Sequence, residues 1–115
     1  MANTQLAIRL MMEPQRSVAA GDFTTGYIGI GTAFDHPLRM IFIQNLTDVT
    51  LQFSLDGVNP HFPLPSEGFL LMDITSNKSI GEGFYIAQGS RIYVEEITDF
   101  PSTGAVYVSV MYAAD

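Results

Sequence analysis

Period-two alternation of apolar and polar residues dominates this chain and restricts it to a fold built from strands. Val49, Leu51, Phe53 and Leu55 alternate with Thr50, Gln52, Ser54 and Asp56, so one set faces a core and the other faces water. That strand stops at Asp56-Gly57, a strong turn signal, followed by Asn59-Pro60. Val106, Val108 and Val110 alternate with Tyr107, Ser109 and Met111, and Ile92 and Val94 oppose Arg91, Tyr93 and Glu95. Leu38 to Ile43 is apolar at nearly every residue, which predicts a central strand covered on both faces. Tyr27 to Gly31, Gly68 to Ile74 and Phe84 to Ala87 are further candidates, rich in β-branched or aromatic residues and bounded by breakers.

No segment makes a convincing helix. The best, Leu6 to Met12, is too short to stand alone in water, and it also reads as a strand through Leu6, Ile8 and Leu10. The expectation is an all-β, two-sheet β-sandwich of about eight antiparallel strands, with a jelly roll preferred within that class. A chain of 115 residues is one domain's worth. Residues 1–16 form an N-terminal strand or arm, set off by Pro14 and the small-residue run Ser17 to Gly21, and residues 17–115 form the sandwich domain.

Composition narrows the function classes. Twelve acidic residues against five basic ones give a net charge of −7, and the five cations form no cluster, which argues against nucleic acid as a partner. Charged residues are 15% of the chain, well below the roughly 25% of ordinary domains. A small domain with so few charges is expected to cover part of its surface with other subunits. There is no cysteine, so neither a disulfide nor a thiolate metal site is expected. The N-terminus lacks the basic and long apolar regions of a secretory leader. The apolar runs fall far short of the ~20 residues of a membrane helix. These features predict a soluble protein made in the cytosol, with no membrane partner.

Catalytic and cofactor patterns are sparse. A metal site would have to pair His36 and His61 with Asp35 or Asp56, and no ligand spacing supports it, so both histidines read as exposed loop residues. No serine lies in a nucleophile elbow. Glu95 and Glu96 are adjacent in a strand and point to opposite faces. Gly29-Ile30-Gly31 lacks the third glycine of a dinucleotide fingerprint and reads as a bulge or a close backbone approach. Tyr27, Tyr85, Tyr93 and Tyr107 are candidates for a sugar-stacking face, although strand packing is their commoner use. The expectation is a non-enzymatic protein with no cofactor and no metal.

The runs Ile43-Gln44-Asn45-Leu46-Thr47-Asp48, Phe53-Ser54-Leu55-Asp56-Gly57 and His61-Phe62-Pro63-Leu64-Pro65 share a cadence with Leu71 to Lys78, Ala87 to Val94 and Gly104 to Val110. Over most of residues 17–115 they resemble the small virion structural proteins of tailed bacteriophages. That group includes capsid cement or decoration proteins with jelly-roll folds. The resemblance implies a virion location after synthesis in the host cytoplasm, and the major capsid protein or other virion proteins as partners. It also implies a homo-oligomer, with a trimer favoured, and carries over no catalytic residue. On this reading the assembly contacts fall on Leu6, Ile8, Leu10, Met11 and Met12. Two loops join them, one at Asp35, His36 and Pro37, the other from Asn59, Pro60 and His61 to Pro65. A neck, tail or fibre component and a carbohydrate- or receptor-binding module are the alternatives.

Overall fold

A computed structural model describes residues 9–73 and 86–114. The strands are β1 (Arg9–Met12), β2 (Arg16–Ala19), β3 (Ile28–Gly29), β4 (Leu38–Asn45), β5 (Leu51–Ser54), β6 (Phe62–Leu64), β7 (Phe69–Asp73), β8 (Tyr93–Glu96) and β9 (Ala105–Ala114). Among the described residues the only helical element is a 3-10 turn at Ala20–Asp22. One sheet runs β1-β9-β4-β7, with β2 also on β9, and the other runs β3-β8-β5-β6. Every pairing is antiparallel. The chain is therefore all-β, with two antiparallel sheets packed together in a β-sandwich-like arrangement.

Inward residues of both sheets build one core. Ile41, Ile43, Val106, Val108 and Val110 from the five-stranded sheet meet Leu51, Phe53, Leu64 and Val94 from the four-stranded one, with Ile92 just before β8. Phe53 and Phe62 stack with ring centroids 5.4 Å apart. Asn45, fully buried at the end of β4, ties the sheets together. Its amide donates to the carbonyls of Val49 and Leu64 at 2.9 Å and of Pro65 at 3.2 Å, while its oxygen accepts from the Thr47 amide and hydroxyl. A buried side-chain amide is tolerated because each of its polar atoms has a partner.

The register corrects several expectations. β4 is central, between β9 and β7, but it is not covered on both faces, because Met40, Phe42 and Gln44 point outward and are only half-buried. Arg39 is the extra residue of a bulge between Leu38 and Met40, so Leu38 and Ile41 both face inward although three positions apart. Ser17 to Gly21 is not a separator. It holds most of β2 and the start of the 3-10 turn, because β9 is ten residues long and its edge accepts β1 and β2 in succession. The stretch Asn59 to Pro65 is not all loop, since Phe62–Leu64 pairs with β5 and places Pro63 on an edge strand, where proline is tolerated. The Phe84 to Ala87 candidate lies partly outside the described residues, and within them Ile86 makes a single bridge to Leu38. Leu6 to Met12 is a strand where described, from Arg9 to Met12.

Candidate functional site

The outward face of the five-stranded sheet is the most unusual surface of the molecule. The registers Met12↔Met111↔Met40 and Ser109↔Phe42↔Leu71 place these side chains together, and Tyr107↔Gln44↔Phe69 continues the row. Leu10, opposite Ala113, extends it at one corner. Phe69 is 63% exposed, Met12 59%, Leu71 53% and Leu10 42%. Met12, Met40, Phe42, Leu71 and Met111 line a shallow groove in this face, and Phe42 and Phe69 meet edge-on at 5.6 Å. Among the described residues of these paired rows, Asp73, opposite Met40 at the rim, is the one charged side chain. Contiguous apolar side chains on a single exposed face mark an interaction site more often than chance exposure does.

A buried polar clamp fixes the edge of this face. Between β1 and β2 the Glu13 side chain is almost wholly buried. It accepts from Arg16 at 2.8 Å and from the Asp35 amide at 3.1 Å, and it lies 2.6 Å from His36 Nδ1. Burial pushes the Glu13 carboxyl up, but the bonds from His36, the Asp35 amide and Arg16 outweigh it, and its pKa lies below the usual 4.5. Arg16 also donates to the carbonyls of Pro14, Thr32 and Ala33 and lies over the Phe34 ring at 4.8 Å. Its stem occupies the place a side chain at Gly31 would take, and Gly31 has φ +66°. His36 stacks flat on Tyr112 of β9, centroids 3.6 Å apart. This half-exposed histidine is therefore not a plain loop residue, and its carboxylate partner is Glu13, not Asp35.

The second histidine belongs to the β5–β6 hairpin. His61 Nδ1 accepts from the Leu55 amide at 2.9 Å, and Nε2 lies 4.0 Å from Asp56. Asp56 also accepts from the amides of Asn59 and Val58 and from the side chains of Asn59 and Ser54, which hold its carboxyl well below the usual carboxylate range. Ser54, His61 and Asp56 lie close together without forming a nucleophile relay. The Ser54 hydroxyl is buried and bonds to Asp56 rather than to His61. The bonds close a turn. Among the described residues no group of three or more histidine, aspartate or glutamate side chains is placed to hold a metal, and no helix is long and apolar enough to cross a membrane.

The outward face of the four-stranded sheet is polar. Tyr93, Glu95 and Gln52 share it by register, and Tyr27 and Arg91 lie beside Glu95 and Tyr93. Arg91 lies against Gly29, where a Cβ would collide with the guanidinium, and 5.7 Å from the Tyr93 ring centroid. Burial, together with the Glu95 and Asp56 charges, raises the Tyr27 pKa. Tyr107 belongs to the other sheet and Tyr85 lies outside the described residues, so the four tyrosines do not share one face. Glu95 and Glu96 lie on opposite sides of β8, facing Gln52 and Leu51.

The expected contact residues divide in the same way. Leu6 and Ile8 lie outside the described residues. Leu10 and Met12 join the apolar face, while Met11, 40% exposed, points to its other side opposite Tyr112. Asp35, His36 and Pro37 abut the clamp, and the exposed Asn59, Pro60 and His61 lie on the hairpin. Both loops and β1 lie toward the end of the molecule remote from Asn45. Sequence reasoning missed Phe69, Leu71 and Met111 as part of a contact face, and missed the Glu13–Arg16 pair. The i, i+3 spacing of Glu13 and Arg16 around Pro14 was their only sequence signal. No protein family, curated protein or solved structure matches the chain.

Proposed function

We propose that this chain is a non-enzymatic virion structural protein of a tailed bacteriophage, a cement or decoration subunit that stabilises the head by bridging capsid subunits. The observation that carries the reading is the apolar outward face of the five-stranded sheet, on which Phe69, Met12 and Leu71 stand more than half exposed among the described residues. A jelly roll is the finer fold reading. Its support is the strand order, with β1 and β2 both on β9 and then β4 and β7 in one sheet, and β3-β8-β5-β6 in the other, which interleaves early and late strands as two Greek keys do. Many weak contacts of one rigid β unit, repeated around a particle, add to a large avidity. The test is antibody labelling of gradient-purified tailed particles from a lysate in which the chain is made. Labelled heads, and heads that lose DNA at lower temperature when the chain is missing, are expected. Particles that lack the chain overturn the reading.

A carbohydrate- or receptor-binding module is a second reading, favoured by one observation. Tyr27 and Tyr93 share the polar outward face with Arg91, Glu95 and Gln52, the mixture of ring faces and hydrogen-bonding groups that sugars require. A glycan array that stays blank removes it.

A further inference from the structure

We infer that the apolar outward face of the five-stranded sheet is a self-association surface, covered by a second copy of this chain packed sheet against sheet. The inference deepens the assembly reading, and rests on it, by naming what covers that face.

Three arguments select a second copy. The first is area. Four strands at ~4.8 Å spacing, each presenting about six residues at ~3.4 Å, make a face of roughly 400 Å² in projection. Two such faces remove about 800 Å² in projection, and more as accessible surface because side chains are corrugated, which reaches the roughly 1,000 Å² that a specific interface requires. The second argument is charge. The chain carries −7, so it attracts a cationic partner, but that attraction falls on other surfaces, because Asp73 is the one charged side chain among the described residues of the face's paired rows. In a sheet-on-sheet pair the acidic Glu95 of each copy lies on the far layer. Three successive layer spacings of ~10 Å separate it from its counterpart, several times the ~8 Å screening length at physiological salt. Repulsion between the two copies' Glu95 side chains is therefore small in this arrangement. The third is packing chemistry. In a two-fold contact the same residues must fit themselves, and Met12, Met40 and Met111 are unbranched side chains that can repack against their own copies.

The test is solution mass by light scattering across a wide concentration range, on the full chain and on three variants. The double variant Met12→Lys with Leu71→Lys places charges at two positions that are more than half exposed, so its far-ultraviolet spectrum should match the parent. Its self-association should weaken by roughly tenfold to a hundredfold, as for loss of buried interface anchors. Leu71→Met keeps the face apolar and should keep the parent mass. Gln52→Lys, on the outward face of the other sheet, should also leave the mass unchanged. A discrete oligomer that the double variant alone dissociates supports the inference. A parent that is monomeric at every concentration overturns it, as does an oligomer indifferent to the double variant. The two readings fail separately. If the parent is monomeric but the double variant no longer attaches to phage heads, self-association is wrong and the assembly role stands. If the oligomer forms through this face but never occurs on particles, the virion role fails alone.

Discussion

The two outward faces of this molecule have opposite characters although they close the same core. On the four-stranded sheet Tyr27, Gln52, Arg91, Tyr93 and Glu95 alternate with buried Leu51, Phe53 and Val94, as a solvated face should. On the five-stranded sheet the residues that alternate with buried Ile41, Ile43, Val108 and Val110 are Met40, Phe42, Ser109 and Met111. Beside them Met12 and Leu71 stand more than half exposed. Alternation alone shows that a strand has two faces. It takes the second, apolar set on β4 to show that one face of the sheet carries apolar side chains on its outward side as well.

The largest expected effect sets the inner face against the outer one. Ile43→Ala leaves a cavity in the core and should cost about 2 to 5 kcal/mol in chemical denaturation, whereas Phe42→Ala, one residue away and outward, should cost under about half of that in dilute protein. Equal costs would mean that the outer face is already packed and would remove the contrast. Next comes Asn45→Ala, at the junction of the two sheets. It strips donors from buried carbonyls of Val49, Leu64 and Pro65 and should lower stability by about 2 to 3 kcal/mol. A loss confined to a few tenths would show that the sheets are joined by apolar packing alone.

The clamp sharpens the comparison at the edge of the apolar face, because it holds the turn between β1, which supplies Leu10 and Met12, and β2. Glu13→Gln keeps the side chain's shape but weakens the charge-assisted hydrogen bonds from Arg16 and should cost about 1 to 3 kcal/mol at pH 7. Because the folded-state pKa of Glu13 is depressed, its contribution is complete above the ordinary value of 4.5 and is lost as pH falls from there through the lower folded-state value. The stability gap between parent and variant should close over that acid range. A gap that widens on acidification would contradict the assignment. The smallest effect belongs to Leu71→Thr, which should change the stability of the isolated chain by no more than about 0.5 kcal/mol. A much larger loss under dilute conditions would mean that Leu71 is buried within one copy.

Elements with strict alternation and clear stops were legible. β5 lies within the alternating stretch that ends at the Asp56-Gly57 turn, and β9 contains the alternation from Val106 to Met111 and extends beyond it at both ends. β2 was not, because Val18 is its one large apolar inward residue and it exists through the free edge of a long β9. β6 was obscured by Pro63, which acts as a breaker in sequence but sits on an edge in space. Of the candidate face, Leu10 and Met12 carried a signal. Met111 carried only its place opposite the core valines of its strand, and Phe69 and Leu71 carried none beyond belonging to a strand candidate, since a one-residue shift would turn either of them inward.

The sequence by itself determined that the chain is all-β, that its core residues recur every second position, and that its charge is sparse and acidic. Tertiary structure alone decided which strands lie side by side and which apolar set faces outward. The reason is physical. Alternation is encoded by neighbours along the chain, whereas β1 and β4 meet on β9 through pairings between residues 61 to 105 positions apart. Their backbone hydrogen bonds are the same for every residue type, so the pairing is selected by how the inward side chains pack once the sheets close on each other.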